Sequence, residues 1–216
     1  MHDKVLGSIL GKPTFLYSLE AFLASETVQN IVVVYRDDSQ RQVLAAALSP
    51  SRLASIHFSW VQGGERRQDS VVNGLQALPY QTRYVFVHDA ARPLIQPECL
   101  QALKQKVQQV KAVALAHPLV DTIVQTKGSD AKDSLCTLET LPRQRLWAME
   151  TPQVFERSLI HHAYNAVDRD QVTVSDDASA LSYIGGKVSL LVNPSLNPKL
   201  TFPQDIRLVE ALLRMR

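Results

Sequence analysis

The chain has 216 residues, of which 45% are hydrophobic and 20% are charged, as in an ordinary globular domain, and this composition excludes extended disorder. The formal net charge of +2 is too small to indicate a nucleic-acid or membrane surface. Because no apolar stretch approaches the ~20 residues of a membrane helix and no secretory signal is visible, we expect a soluble, cytoplasmic protein.

Helical and strand patterns alternate along the first half of the chain. Apolar residues recur at helical spacing over 13–24, and the β-branched run at 31–35 is typical of a strand buried on both faces. Similar patterns predict helices at about 38–47, 68–78 and 97–110, and strands at 56–61, 84–87 and 112–116. This alternation predicts an α/β domain with a doubly wound, mostly parallel sheet and helices on both faces.

The pattern changes between about 120 and 150. Short β-like pieces at 122–125 and 146–149 surround a polar loop at 127–133, which indicates a hairpin-like β-arm that protrudes from the sheet. The α/β rhythm then resumes, with helices predicted at about 155–166, at 177–183 and from near Pro203, and a strand at 188–192. We therefore predict one domain over residues 1–216 with an arm at about 120–150.

Four loops follow predicted strands, and ligands of parallel α/β sheets bind beyond the carboxyl ends of the strands. The loop at 63–70 has two glycines, which allow close approach of a ligand, and it leads into the positive end of a helix. The loop at 88–93 has an Asp and an Arg that could serve a phosphate, a hydroxyl or a magnesium shell. The loops at 118–122 and 197–201 complete the set. Each loop alone is typical of a turn, a helix cap or a solvated lysine, but together they converge on one sheet edge.

Other site types find little support in the sequence. No G-x-G-x-x-G, G-x-x-x-x-G-K or G-x-S-x-G pattern occurs, which argues against dinucleotide, P-loop and serine hydrolase sites. The stretches 151–153 and 175–177 have the composition of loop-to-helix junctions. Cys99 and Cys136 lack C-x-x-C or metal-ligand spacing, so we expect two reduced thiols.

In their order along the chain, these loops resemble the 2-C-methyl-D-erythritol 4-phosphate cytidylyltransferase family of the non-mevalonate isoprenoid pathway. The stretches 63–71 and 87–93 are the specific motifs, and weaker matches follow at 121–122, 151–153, 176–180 and 197–205. The resemblance implies a Rossmann-like fold of the nucleotide-diphospho-sugar transferase type and a homodimer formed through the β-arm. It implies CTP and a polyol phosphate as substrates, without nucleic-acid or membrane partners. Mg²⁺ is expected mainly on the triphosphate, in the neighbourhood of Asp89, rather than in a dedicated protein site.

The resemblance also implies roles for individual residues. The nucleotide would be held by Gly64, Glu65, Ser70, Asp89 and Ala90. The polyol phosphate would be held by Arg92, Thr122, Arg143, Thr151 and Lys199, some of them reaching across the dimer. Lys4, Arg143 and Lys199 would act in catalysis, with Lys4 at the place of the lysine in the family's Pro-Lys pair.

One part of the family pattern is missing at the start of the chain. Family members begin with a strand and a Gly-rich loop that wraps the triphosphate, whereas this sequence starts after that loop. We expect a truncated or mis-started chain, and a divergent family member is the alternative. Because the strand would be central, its loss is expected to leave two strand edges uncovered. Two alternatives stay open: a ribitol-5-phosphate cytidylyltransferase with the same motifs, and an inactive nucleotide-binding or dimer scaffold without the triphosphate loop.

Overall fold

A computed structural model describes residues 4–48, 57–127 and 136–215, in which helices and strands alternate and confirm the α/β class. The helices are α1 (Thr14–Ser25), α2 (Asp38–Ala46), α3 (Arg67–Gln76), α4 (Pro97–Val110), α5 (Arg157–Arg169), α6 (Asp177–Tyr183) and α7 (Gln204–Arg214). The strands are β1 (Ser8–Ile9), β2 (Lys12–Pro13), β3 (Asn30–Tyr35), β4 (His57–Gln62), β5 (Tyr84–Val87), β6 (Ala112–Pro118), β7 (Val124–Lys127), β8 (Thr137–Thr140), β9 (Trp147–Glu156) and β10 (Ser189–Val192). None of these helices is both long and apolar enough to cross a membrane.

The main sheet has the strand order β10-β6-β9-β5. β10 and β6 are parallel, whereas β9 runs antiparallel to both of its neighbours, so β5 and β6 point the same way. β3 and β4 form a separate parallel pair, and two short antiparallel pairs, β1-β2 and β7-β8, lie outside the main sheet. The sheet is therefore mixed because β9 is inserted between two strands of common direction.

The long strand β9 corrects two predictions. The strand predicted at 146–149 continues to Glu156, and 151–153 lies within it rather than at the start of a helix, which begins only at Arg157. Local composition favoured a helix start, but Val154 and Phe155 are fully buried and the strand pairs with both β5 and β6. The register of β9 against β6 shifts in the region of Pro152, and such an irregularity tolerates a residue without an N–H.

An antiparallel hairpin lies where the β-arm is predicted. β7 and β8 pair over four positions, from Val124↔Thr140 to Lys127↔Thr137, and the residues of β8 are exposed. A 3₁₀ turn at Arg143–Arg145 leads back to β9. Residues 128–133 of the predicted polar loop lie outside the described residues, and the role of the arm in dimerisation stays a prediction.

Two strand edges face a cavity of about 880 Å³. Within the described ranges, β3 pairs only with β4 and β5 pairs only with β9, so each has one edge without a strand partner. The cavity lies between these edges, and side chains such as Leu19 of α1 and Leu75 of α3 also line it. The edges of β3 and β5 that line the cavity therefore have no strand partner in the described ranges. The cavity reaches the loops that follow β4 and β5, including Gly64 and Asp89.

The apolar core lies on both faces of the main sheet. On one face, Ile160 and Tyr164 of α5 and Leu181 of α6 pack with Phe155. On the other, α4 packs its buried face, including Leu103, against β6 and β9. The first five residues of β6 have no exposed surface. This packing holds the carboxyl ends of β5, β6 and β10 at one edge.

A histidine links the strand ends at this edge. Nε2 of His88 lies 3.2 Å from the carbonyl oxygen of Arg92, and Nδ1 lies 3.2 Å from the hydroxyl of Thr151. Since a carbonyl only accepts, Nε2 carries the proton and Nδ1 accepts from Thr151, whose oxygen accepts the N–H of Asp89 at 3.0 Å. His88 lines the cavity, but both of its ring nitrogens have partners inside the protein, and burial lowers its pKa to about 4.

This pKa makes stability depend on pH. The ordinary histidine value is 6.5, so the contribution of neutral His88 is complete above that pH. As the pH falls from 6.5 towards 4, the unfolded chain binds a proton that the folded chain does not, and the free energy of unfolding falls by at most about 1.4 kcal/mol per pH unit. Urea unfolding at several pH values between 7.5 and 4.5 gives the free energy of unfolding as a function of pH. The slope of this free energy against pH should be shallower for His88→Gln than for the unchanged protein. The exposed-site control His162→Gln should keep the original slope, and identical slopes for all three proteins would contradict the assignment.

Candidate active site

Three of the four predicted loops meet around Asp89. Asp89 follows β5, and its carboxylate lies 2.7 Å from Nζ of Lys199, which is in the loop after β10. Arg67, at the start of α3 and directly after the 63–64 turn, places its Nε 3.6 Å from the same carboxylate. The segments that follow β4, β5 and β10 therefore bring one carboxylate and two positively charged side chains together.

The turn at Gly63 and Gly64 packs tightly against the start of α3. The N–H of Gly63 donates to the carbonyl of Tyr35 at 2.7 Å, and the N–H of Gly64 donates to Oγ of Ser70 at 3.1 Å. A Cβ on Gly63 would lie 2.7 Å from Oγ of Ser70, and a Cβ on Gly64 would lie 2.4 Å from Cβ of Asp69. Both glycines are therefore needed for close approach within the turn. Both also line the cavity, so their backbone is accessible to a ligand there.

Arg67 ties the turn to the rest of the fold. Its guanidinium donates two hydrogen bonds to Asp177, at 2.7 and 3.2 Å, and Asp177 is fully buried and also accepts from Tyr164 at 2.6 Å. Burial disfavours the charge of Arg67, but the hydrogen bonds and charge of Asp177, together with Asp89, raise its pKa. The sequence alone predicts no role for Arg67, because two adjacent arginines give no sign of which one turns inward. Arg66 instead pairs with Asp69 at the surface.

Asp89 is ionised in spite of its burial. Only 19% of its side chain is exposed, and burial alone would raise its pKa. The hydrogen bond and charge of Lys199, followed by the charge of Arg67, outweigh this effect and hold the pKa of Asp89 below its usual range. Arg67 is also paired with Asp177, so the two cations are balanced by two carboxylates. The Lys199 side chain is 43% exposed, so its ammonium stays accessible to an anion such as a phosphate.

Arg92 and Thr151, two of the predicted substrate-binding residues, form hydrogen bonds within the protein that hold the loops of the site. The guanidinium of Arg92 donates to the carbonyl of Asn197 at 2.8 Å and lies 3.4 Å from that of Met149, and burial lowers its pKa. Its Nε is buried and has no hydrogen-bond partner within the described part of the chain. The hydroxyl of Thr151 is held between His88 and the N–H of Asp89. Both lie next to the cluster, and their contact with a substrate stays a prediction.

The remaining predicted residues lie around this centre or away from it. Ala90 lines the cavity, and Glu65 is exposed beside the turn. Thr122 and Arg143 are exposed at the root of the arm, where Arg143 donates to the carbonyl of Val120. No hydrogen bond or ion pair joins these two to Asp89 in the residues that the structure describes.

Lys4 lies near the helix that follows the Lys199 loop. The carboxylate of Asp205 accepts the N–H groups of Phe202 and Thr201, which lower its pKa, and the charge of Lys4 lowers it further. Lys4 is therefore in the neighbourhood of the loop that carries Lys199. Its predicted contact with the reacting phosphates stays a prediction.

The acidic groups of the site fit a magnesium ion only in part. No group of three or more His, Cys, Asp or Glu residues that could hold a metal occurs in the described ranges. Mg²⁺ commonly keeps several waters and binds through one or two carboxylates together with substrate phosphates. Asp89 can act as such a carboxylate, so the site fits an ion that arrives with a phosphate ligand.

Comparisons with known proteins give the family of this chain. The sequence profile of the 2-C-methyl-D-erythritol 4-phosphate cytidylyltransferase family matches residues 1–215. The chain is 34% identical over 214 residues to the enzyme of that name from Halalkalibacterium halodurans, covering 98% of this chain and 89% of the relative. It is 35% identical over 214 residues to the enzyme of the same name from Parasynechococcus marenigrum, covering 99% and 91%.

The fold leads to the same family. The structure is similar to that of 2-C-methyl-D-erythritol 4-phosphate cytidylyltransferase from Thermus thermophilus, with a TM-score of 0.80 and 26% sequence identity. The match covers 99% of this chain and 95% of that chain. The loops around Asp89, the whole-chain sequence match and the fold agree, and the chain belongs to the 2-C-methyl-D-erythritol 4-phosphate cytidylyltransferase family.

Proposed function

We propose that this protein transfers the cytidylyl group of CTP to 2-C-methyl-D-erythritol 4-phosphate and releases pyrophosphate, a step of non-mevalonate isoprenoid synthesis. The observation that carries the proposal is the cluster of Asp89, Arg67 and Lys199 at the mouth of a cavity, beside a turn of two glycines. Membership of the family adds the identity of both substrates. We also propose a cytoplasmic place of action, which agrees with the two free cysteines, Cys99 and Cys136.

The reaction needs charge neutralisation more than covalent chemistry. A phosphate oxygen of the polyol phosphate attacks the α-phosphorus of CTP, and the bond from that phosphorus to the bridging oxygen breaks as pyrophosphate leaves. The two reactants repel each other, so fixed cations and correct positioning lower the barrier. Lys199 is held at 2.7 Å from Asp89 before any substrate arrives, and we assign it to the reacting phosphates together with Lys4 and Arg143. Mg²⁺ bound with the triphosphate would supply further neutralisation beside Asp89.

We place the nucleotide at the mouth of the cavity, where Gly64, Ser70, Asp89 and Ala90 line it. We assign these residues, with Glu65, to the cytidine and its ribose. The 63–70 loop leads into the N-terminus of α3, and the positive end of a helix favours the negative charge of a nucleotide.

The arm supports a proposal that the protein acts as a homodimer. Several large apolar side chains of the arm and its root are exposed, namely Val120 at 78%, Leu138 at 56%, Val124 at 42% and Trp147 at 37%. Exposed apolar surface on a protruding hairpin is typical of an interface. Pairing of two arms would bury these side chains, and we propose that it also brings Thr122 and Arg143 to the polyol phosphate.

Replacement of Lys199 tests the catalytic assignment. A hydrogen bond to a charged group contributes about 1.5–3 kcal/mol, so Lys199→Ala should lower kcat by roughly tenfold to a hundredfold. The measurement is pyrophosphate release from CTP and 2-C-methyl-D-erythritol 4-phosphate. Lys187→Ala removes the same charge from an exposed position before β10, at the other end of that strand, and should leave the rate unchanged. A Lys199→Ala rate near that of the unchanged protein would contradict the assignment.

Replacement of Gly64 tests the assignment of the 63–64 turn to nucleotide binding. Gly64→Ala places a methyl group 2.4 Å from Cβ of Asp69, so the turn must shift and the KM for CTP should rise by about tenfold or more. Gly74→Ala is the matched control, because its Cβ comes no closer than 3.1 Å to the side chain of Val34 and alanine suits a helix. Equal KM values for CTP in both variants would argue against a nucleotide site at this turn.

Replacement of Leu138 tests the dimer. Leu138→Asp puts a charge on the apolar surface of the arm and should convert the dimer to a 24.1 kDa monomer in light scattering after size exclusion. Val43→Asp changes a residue of similar exposure, 50%, on α2 and should remain dimeric. A monomeric mass for the unchanged protein at micromolar concentration would refute the proposal.

A further inference from the structure

A buried carboxylate lies beneath the loop that carries Lys199. Glu150 of β9 is 3% exposed, and it has three side-chain partners from two other parts of the chain. Its Oε1 lies 2.7 Å from Nδ1 of His117, at the end of β6. Its Oε2 accepts from Nδ2 of Asn193 at 2.7 Å and from Nδ2 of Asn197 at 3.0 Å. Glu150 therefore joins β6 and β9 to both ends of the 193–197 segment.

The orientation of Asn193 requires an acceptor at this position. Oδ1 of Asn193 accepts the N–H of Ser195 at 3.1 Å and lies 3.5 Å from Sγ of Cys99, so its Nδ2 group must face Glu150. Nδ2 of Asn197 donates to the carbonyl of Thr151 at 3.1 Å as well as to Glu150. A carboxylate can accept on both oxygens, whereas a neutral amide has one oxygen and must turn its N–H₂ group either towards the two asparagines or towards His117.

The segment that Glu150 holds leads directly to Lys199. The carbonyl of Asn197 accepts from the guanidinium of Arg92, and the N–H of Leu200 donates to the carbonyl of Ala91 at 2.8 Å. Lys199 itself is 43% exposed and is fixed at its far end only by its ion pair with Asp89, among the residues that the structure describes. Its position therefore depends on the backbone that carries it.

We infer that Glu150 is a positioning residue, which sets the place of the Lys199 ammonium by holding the 193–197 segment against β9. The inference rests on the proposed function for its kinetic consequence. The geometry of the loop can be tested without turnover. Glu150 acts through Asn193 and Asn197, and it does not touch the cluster of Asp89, Arg67 and Lys199.

Glu150→Gln keeps the shape of the side chain and replaces the charged acceptor of the two asparagines by a neutral oxygen, which weakens both hydrogen bonds. Since a displacement of about 1 Å at a reacting group can cost on the order of a hundredfold, kcat should fall by about tenfold to a hundredfold. The KM for CTP should change by less than about twofold, because the turn at 63–64 is untouched. Glu156→Gln is the control on the same strand: its side chain pairs with Lys111 at the opposite end of β9, and its kcat should not change.

A double-mutant cycle separates positioning from general destabilisation. If Glu150 acts through Lys199, Glu150→Gln should have little further effect on kcat in a Lys199→Ala background. Additive losses in the double variant would overturn the inference. If Glu150→Gln fails to fold, Asn197→Ala is the replacement variant, because it removes one donor and keeps the carboxylate. Its effect on kcat should likewise be non-additive with that of Lys199→Ala.

Hydrogen exchange gives the readout that does not need activity. In Glu150→Gln, peptides that contain residues 194–199 should exchange faster, whereas peptides of β6 should keep their protection. Unchanged exchange at 194–199 would overturn the inference even if the rate falls. If the unchanged protein releases no pyrophosphate from CTP and the polyol phosphate, the proposed function fails, while faster exchange still supports the role of Glu150 in the loop.

Discussion

A carboxylate that is largely buried must be paired, and the pairing of Asp89 organises this protein. Its partners, Arg67 and Lys199, come from loops that follow different strands, so the sheet edges must be in place before the cluster can form. Each partner is held in turn by a buried acid. Asp177 receives two hydrogen bonds from Arg67, and Glu150 holds the segment that leads to Lys199. Buried carboxylates thus connect the core to the cavity mouth.

This arrangement suits the transfer of a phosphorylated group. The cations are fixed by protein carboxylates in advance, so little reorganisation is needed when a phosphate replaces part of that pairing. Neutral His88 strengthens the same edge, because it joins the loop of Asp89 to Thr151 in β9 without adding charge. The glycine turn completes the site, because it lines the cavity without side chains and lets a ligand approach its backbone. The exposed ammonium of Lys199 and this close approach favour an anionic nucleotide beside Asp89.

Much of the fold follows from local patterns. The helices at 97–110 and 177–183 have the predicted bounds, because apolar spacing and helix-start residues agree there. β9 departs from the prediction because its central residues resemble a helix start, yet pairing with β5 and β6 decides their conformation. The main sheet is accordingly mixed. Pairing between distant strands overrides a local preference when the strand is fully buried.

The sequence by itself determined the α/β class, the loops at the strand ends and, through the order of their motifs, the family. Only the tertiary structure decided which side chains meet. Arg67 and Asp177 are 110 residues apart, as are Lys199 and Asp89, and no local pattern reports such pairs. The same is true of Glu150, which in sequence is one polar residue in a strand. Apolar periodicity records which face of an element is buried, whereas the partner of a buried charge depends on elements that only the folded chain brings together.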